Sequence, residues 1–204
     1  MLLEQKGRAS FGRKRMALSQ AAPRRLMHTR DVRCQGFLRE DGLWDIEGSM
    51  QDIKTDETPS PGRSAGRVAA GEPFHLMRVR MTVDLDLLIH AIEVEIASSP
   101  FDGCPNISDS YQQLVGTRIG KGWSRVMKER VGGVQGCTHV SELLVPMATT
   151  AFQTTWHARQ QLQEGGDGKS SGNGLVNTCY SWSENGEAVR RFIPHRFIEA
   201  EQNT

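Results

Sequence analysis

The chain has 204 residues, 37% hydrophobic and 24% charged, a composition typical of one globular domain with a sizeable core. No stretch approaches the ~18 consecutive apolar residues of a transmembrane helix, and the first residues lack the apolar core of a signal peptide. Four unevenly spaced cysteines do not form the framework of a disulfide-rich secreted protein. We therefore expect a cytoplasmic protein, without membrane association, whose cysteines are reduced thiols or metal ligands.

The net charge of +1 conceals an asymmetry between the N-terminal segment and the rest of the chain. Residues 1–25 hold seven basic residues and one acid, a charge of +6, which leaves −5 for the remainder. A basic arm can bind nucleic acid, but no aromatic or helix–turn–helix pattern accompanies this one, so nucleic-acid binding is not expected. We interpret residues 1–25 as a disordered tail, or residues 1–15 as an extension that precedes a true start at Met16.

A first hairpin is predicted near the start of the domain. Runs of strand-forming residues at 27–40 and 43–54 flank Asp41-Gly42, a dipeptide that favours a tight hairpin turn. Alternate residues of a strand share one face of the sheet. Three apolar residues of the second run share one parity and are expected to face the core: Trp44, Ile46 and Met50.

A loop and a second hairpin follow. Residues 55–73 are rich in Pro, Gly and Ser and show no period, which predicts a flexible surface loop. Residues 74–83 and 88–97 then alternate apolar and polar side chains on either side of a turn at 84–86, which predicts two antiparallel strands. The polar face of the first strand is basic and that of the second is acidic, so these rows are expected to pair across the strands.

The middle of the chain has the pattern of helices. Ser108 to Ser110 offer N-caps for a first helix, Trp123 to Met127 belong to a second, and Thr138 caps a third. Pro146 lies within the third apolar stripe and is expected to kink or split that helix.

A last hairpin is predicted from 176–182 and 188–193, joined through Asn185-Gly186. Strands, then helices, then a final hairpin predict an α+β fold, an antiparallel sheet of hairpins packed against three helices. We expect one domain at residues 26–196 and a C-terminal tail at 197–204.

Two cysteines are the strongest candidates for chemistry. Cys104 and Cys137 each follow a glycine at the head of a predicted helix, where the helix dipole favours the thiolate, which is both a nucleophile and a metal ligand. With His139 and His75 they would form a Cys2His2 set suited to zinc and also to iron. Cys179 is a spare ligand. The sequence thus predicts a metal site drawn from Cys104, Cys137, His139, His75 and Cys179.

Other interpretations stay open. Cys137 could be a low-pKa nucleophile in sulfur or acyl transfer, with His139 as its base. Alternatively the cysteines, Cys34 among them, are buried packing residues of an interaction module. Asp52 belongs to a group of acids interpreted as a solvated strand face, and four histidines have no partner at a useful spacing: His28, His90, His157 and His195.

The segment from Val115 to Gln153 resembles a bacterial family catalogued as domain of unknown function 2889. Further matches extend the resemblance over nearly all of the chain from Arg24 to Pro194, and they lie at Arg24-Arg25-Leu26, 41–45, 71–73 with His75, and 177–179. One position departs from the family's pattern, since Leu76 stands where an acid usually follows the histidine. The resemblance implies no activity.

A second resemblance concerns the order of elements at about 72–157. A hairpin, a Gly-Cys at a helix start, two helices and a second Cys opening a long helix are similar to the iron–sulfur scaffold proteins of the IscU/NifU family. This resemblance implies a metal site in which Cys104 and Cys137 match two of the family's three cysteines and His75 lies near the first. Because this chain lacks the full set unless Cys179 joins, a metal or thiol site is favoured over cluster assembly.

The function that we expect is therefore a metal-binding accessory protein that holds zinc or iron. An enzyme is not favoured, because no acid–base constellation can be read from the residues. A protein partner is compatible with the sequence, which identifies none.

Overall fold

The structure, a computed structural model, describes residues 18–164 and 173–199. Most of the predicted basic tail and residues 200–204 of the predicted C-terminal tail lie outside this part of the chain. The described residues form six strands, in chain order β1 (His28–Leu38), β2 (Trp44–Lys54), β3 (Thr58–Pro59), β4 (Arg67–Val68), β5 (Pro73–Val83) and β6 (Ile89–Ser98). Four of them form an antiparallel sheet in the order β1-β2-β5-β6, and β3 pairs with β4.

The hairpin of β1 and β2 confirms the prediction made from Asp41-Gly42. Leu38 pairs with Trp44 at the end of the ladder. Gly42 has a φ of 83°, a conformation that glycine adopts without steric cost. On β2, Ile46 and Met50 are buried in the core as their parity predicts, and Trp44 is partly buried against it.

The hairpin of β5 and β6 is also confirmed. Its outer face carries the predicted cross-strand pairs, with Arg78 opposite Glu95 and Arg80 opposite Glu93. A guanidinium nitrogen of Arg78 lies 2.8 Å from a carboxylate oxygen of Glu95. The other face supplies buried apolar side chains to the core, including Met77, Val79, Met81 and Ile92.

The segment predicted as a flexible loop contains the hairpin of β3 and β4, and Arg63 bonds it to the sheet through several contacts. The guanidinium of Arg63 donates to the backbone oxygens of Ser99, at 2.6 Å, and Phe74, at 2.8 Å. It also donates to the hydroxyl of Ser98 at 2.9 Å. These bonds brace the beginning of β5, where His75 lies.

In the part of the chain that the structure describes, three α-helices follow the sheet: α1 (Trp123–Val131), α2 (Thr138–Glu164) and α3 (Glu187–Phe192). Short 3₁₀ helices occupy Cys104–Leu114, Gly133–Gln135, Asn173–Leu175, Tyr180–Trp182 and Pro194–Arg196. The first predicted helix is thus a 3₁₀ helix that begins earlier than expected, because Pro105 suits a first helical turn. No helix among the described residues is both long enough and apolar enough to cross a bilayer.

Helix α2 continues through Pro146, so the expectation of a split helix is wrong. Leu143 and Leu144 before the proline and Met147 after it are buried, and packing on both sides holds the helix together. The helix lies on β1 and β2. It can approach closely because Gly36 and Gly48 have no side chain: a Cβ at Gly48 would lie only 2.5 Å from the sulfur of Met147.

The predicted C-terminal hairpin is wrong. Gly186 has a φ of −82° and precedes α3, so the Asn185-Gly186 pair does not make a hairpin turn. Val189 and Ile193 lie four residues apart and are both buried, with 0% and 1% of their surface exposed. Their helical spacing decides the local structure against the turn signal of the dipeptide.

Candidate metal centre

Asp52 on β2 is the centre of a cluster of charged and polar side chains. In the sheet register it pairs with Arg30 of β1 on one side and with His75 of β5 on the other. Directly opposed residues of antiparallel strands have their Cβ atoms about 5 Å apart, so the three side chains meet on one face. The Asp52 side chain is only 2% exposed.

Four donors surround the carboxylate of Asp52. Nε and Nη2 of Arg30 each lie 2.7 Å from one of its oxygens, in a bidentate pair. Nδ1 of His75 lies 2.9 Å from Oδ2, and Nε2 of His28 lies 3.1 Å from Oδ1. Burial alone would raise the pKa of Asp52, but Arg30 and His75 outweigh it and lower that pKa to about 2.

His75 is oriented by this carboxylate. Because Asp52 is ionised at neutral pH, the ring nitrogen that faces it, Nδ1, carries the proton and donates. The other nitrogen, Nε2, is then unprotonated and has a free lone pair. Burial first, and then the neighbouring His139, lower the pKa of His75 and keep the ring neutral.

His139 comes from the first turn of α2 and lies against His75. The two ring centroids are 3.8 Å apart and the planes are tilted by 32°. Burial, followed by the positive charge of Arg30, lowers the pKa of His139. Asp52, His75 and His139 each offer a ligand atom, and these atoms all lie within 4.8 Å of one another.

Arg30 links the cluster to the surface of α2. Besides Asp52, it contacts Glu142, whose Oε2 lies 2.9 Å from Nη1. Glu142 follows His139 by three residues and therefore lies on the same face of the helix. The side chain of Glu142 is 56% exposed, so its carboxylate can exchange this ion pair for another partner.

The structure brings together two of the five predicted ligands, His75 and His139. Cys104, at the start of its 3₁₀ helix, and Cys137, immediately before α2, are both partly buried against the core. Cys179 is exposed near the C-terminal helix. None of these three cysteines belongs to the group around Asp52 that the described residues form, and their role as ligands stays a prediction.

Cys137 is held in place by Tyr111. The tyrosine hydroxyl accepts from the backbone nitrogen of Cys137 at 2.8 Å and donates to its backbone oxygen at 2.9 Å. Cys137 also lines a cleft of about 330 Å³ together with Lys128, Ser141 and Glu142. The head of α2 thus places a half-buried thiol beside an open cleft, while the ring of His139 contacts His75.

Three members of the cluster were not predicted as site residues from the sequence: Asp52, Arg30 and His28. Asp52 has the same parity as Ile46 and Met50 on β2 and therefore lies on their buried face, which is the signal that could have identified it. Its interpretation as a solvated acid is wrong. His28 does have a partner, Asp52. His90 has one too: its Nε2 lies 2.9 Å from Oδ2 of Asp84 across the turn of the second hairpin.

Stability should depend on pH through the two histidines. The pKa values of His75 and His139 lie below the ordinary 6.5 in the folded protein, so the unfolded chain binds more protons in that window. The contribution of the two neutral histidines to the free energy of unfolding is therefore expected to be complete above pH 6.5. The free energy of unfolding should fall as the pH drops below that value. Urea unfolding of chelator-treated protein between pH 7.5 and 5.0 measures this.

His139→Gln serves as the comparison in that experiment, since it removes one of the two titrating rings and should flatten the dependence. Asp52 contributes in a separate window, because its lowered pKa affects stability only below the ordinary value of 3.8. A wild-type free energy that stays constant from pH 7 to 5 would contradict the prediction.

Comparisons with known proteins give one match. A family model described as "Protein of unknown function (DUF2889)" matches residues 28–153, which include every residue of the cluster. No curated protein and no solved structure matches the chain, so the resemblance to the IscU/NifU scaffold proteins stays a prediction.

Proposed function

We propose that this chain, which belongs to the family of proteins of unknown function DUF2889, is a metal-binding accessory protein. The metal is zinc or ferrous iron, and its principal ligands are His75 and His139. The observation that carries the proposal is the pair of neighbouring, neutral imidazoles beside a buried carboxylate.

The protonation states support metal binding. A metal ion binds the neutral form of imidazole, and a lowered pKa makes both rings available at neutral pH. Metal–nitrogen bonds are about 2.0–2.1 Å long, so two ligand atoms on one ion lie at most about 4.2 Å apart. One ring nitrogen of His75 and one of His139 lie within 4.8 Å of each other, and a small side-chain movement brings this distance to that value.

Asp52 supports the metal indirectly in this proposal. Each of its two carboxylate oxygens already accepts two hydrogen bonds. These bonds use the lone pairs that a metal would need. Its bond to Nδ1 of His75 is the carboxylate–histidine arrangement that fixes the tautomer and points the other ring nitrogen at a metal. Asp52 is therefore a positioning residue.

The remaining coordination positions have named candidates. Glu142 supplies a carboxylate next to His139, and two imidazoles with one carboxylate suit ferrous iron as well as zinc. Cys104, Cys137 and Cys179 remain the ligands predicted from the sequence, and thiolates in the set would favour zinc.

Metal titration of the full chain tests the proposal. Protein purified without a histidine tag and without oxygen is analysed for bound metal, then stripped and titrated with Zn²⁺ or Fe²⁺ against a chromophoric chelator. We expect one equivalent to bind, and His139→Ala or His75→Gln to weaken binding at least tenfold. The matched control is His90→Ala, which removes an exposed histidine that also contacts an aspartate.

Two further variants identify the ligand set. Loss of metal in Cys104→Ala with Cys137→Ala would add the thiolates to the site, whereas unchanged binding would leave a histidine site. Wild-type affinity in both His139→Ala and His75→Gln would overturn the proposal. Absence of metal together with unreactive thiols would leave an interaction module as the function.

A second candidate function is thiol chemistry at Cys137. It is favoured by the open cleft beside this thiol, which Lys128 and Glu142 both line. We expect iodoacetamide to alkylate Cys137 faster than free cysteine at pH 7, and a rate equal to that of free cysteine would argue against this function.

A further inference from the structure

Strand β1 forms an open edge of the sheet. Among the described strands it pairs only with β2, and it runs for 11 residues without a register shift. At the opposite edge, the Gln112 amide donates to the backbone oxygen of Ile92, and Ile89 exchanges backbone hydrogen bonds with residues 116–117. Within the described part of the chain, the outer edge of β1 has no such cover. A long, regular and uncovered edge is a template for a further strand.

Exposed apolar side chains mark both ends and the centre of this edge. Val32 lies at the centre of the extended segment from 26 to 38 and is 49% exposed. The segment continues beyond the strand because the backbone oxygens of Leu26 and Met27 accept hydrogen bonds from Thr55. The ends are apolar and exposed as well, with Leu26 at 63%, Met27 at 51%, Phe37 at 44% and Leu38 at 64%.

Two charged side chains of β1 flank Val32. Asp31 and Arg33 lie on the outer face of the sheet, on either side of Val32, and both are exposed. Neither has an ion-pair partner among the described residues, although the arginines Arg78 and Arg80 of the same face are both paired. The two unpaired charges are of opposite sign.

We propose that two copies of this chain associate through β1, antiparallel about a two-fold axis at Val32, into one eight-stranded sheet. In this register, Asp31 lies opposite Arg33 of the second copy, and Arg33 opposite its Asp31. Val32 meets Val32, Phe37 meets Met27, and Leu38 meets Leu26. Every exposed apolar residue of the segment thus meets another apolar residue.

The charges select this register. Moving the axis by one residue in either direction places Asp31 opposite its own copy or Arg33 opposite its own copy, and like charges directly opposed are unfavourable. In the proposed register no like charges face each other between residues 26 and 38, since Arg30 meets Cys34 and His28 meets Gly36. A strand that is complementary to itself specifies a second copy as its partner.

A charge exchange tests the interface. Sedimentation equilibrium of the full chain is expected to show a dimer. Asp31→Arg and Arg33→Asp should each weaken it about tenfold, because one substitution places two like-charged pairs across the axis. The double variant with both substitutions restores opposite charges and should recover the wild-type dimer. Lys121→Asp is the control for Arg33→Asp, since it makes the same charge change outside the sheet.

A cross-link tests the register independently. Cα atoms of opposed residues lie within the range that a disulfide spans. In a Cys179→Ser background, Val32→Cys should therefore form an intermolecular disulfide on mild oxidation. Thr29→Cys should not, because residue 29 lies opposite residue 35 of the second copy, six residues away from its own counterpart. A monomer at all concentrations, or a dimer that neither single charge variant weakens, would overturn the proposal.

Discussion

Asp52→Ala is expected to lower the free energy of unfolding by about 2–3 kcal/mol, because it leaves polar groups of the cluster without their acceptor. Arg30 and His28 are partly exposed, with 38% and 43% of their side chains accessible, so water can replace part of what they lose. His75 is only 11% exposed and cannot recover its bond in this way. Urea unfolding at pH 7 measures the difference.

The same variant should weaken metal binding roughly 10–100-fold, which is the usual effect of removing a carboxylate that orients a metal-bound histidine. Asp52→Asn keeps the volume and loses the charge, so it separates packing from electrostatics. Glu47→Ala is the control on the same strand, because its exposed ion pair with Arg80 should contribute less than about 1 kcal/mol. Stability within 0.5 kcal/mol of the wild type would show that the four hydrogen bonds to Asp52 do not stabilise the fold.

Gly48→Val is expected to destabilise the protein by about 1–3 kcal/mol or more through overpacking. A Cβ at this position would lie 2.5 Å from the sulfur and 2.8 Å from Cγ of Met147, and 3.2 Å from Cδ1 of Leu143. The side chains of Met147 and Leu143 must shift to make room, and because both are buried, part of the strain passes to the helix that carries them. Because valine is a better strand former than glycine, a stabilised variant would mean that strand propensity outweighs this contact.

The displacement should also reach the candidate metal centre. Met147 and His139 are two turns apart on α2, so a helix pushed away from β2 also moves His139 away from His75. We expect Gly48→Val to bind metal more weakly at a temperature where it is still folded. Gly103→Ala is the control, since a Cβ at that position meets no atom within 4 Å.

Much of the sheet could be predicted because its signals are local. Asp41-Gly42 sets one turn, and the alternation of 74–83 with 88–97 sets the other hairpin, including its Arg–Glu rows. The C-terminal hairpin failed for the same reason, because Asn185-Gly186 is a local signal that the burial of Val189 and Ile193 overrides. Local dipeptides predict turns well only where tertiary packing agrees with them.

The candidate metal centre could be predicted only in part. His75 and His139 were identified as ligand types, but their contact depends on how α2 crosses the sheet, which no spacing in the sequence encodes. Asp52 could have been found from its parity on β2, since a carboxylate on the apolar face of a strand must be buried and therefore paired. Arg30 could then have been inferred as its counter-ion, once the register of the first hairpin was set.

The side chains of the cluster come from β1, β2, β5 and α2. The contact between Arg30 and Glu142 joins residues that are 112 positions apart in the sequence. Contacts of such high sequence separation form late, so a partly folded chain does not carry the complete site. A metal held there binds the native state alone and adds RT ln(1 + [M]/Kd) to the free energy of unfolding, about 2.7 kcal/mol at one hundred times Kd. On the proposed function, the supply of metal in the cell therefore sets how often this chain opens and how fast it is degraded.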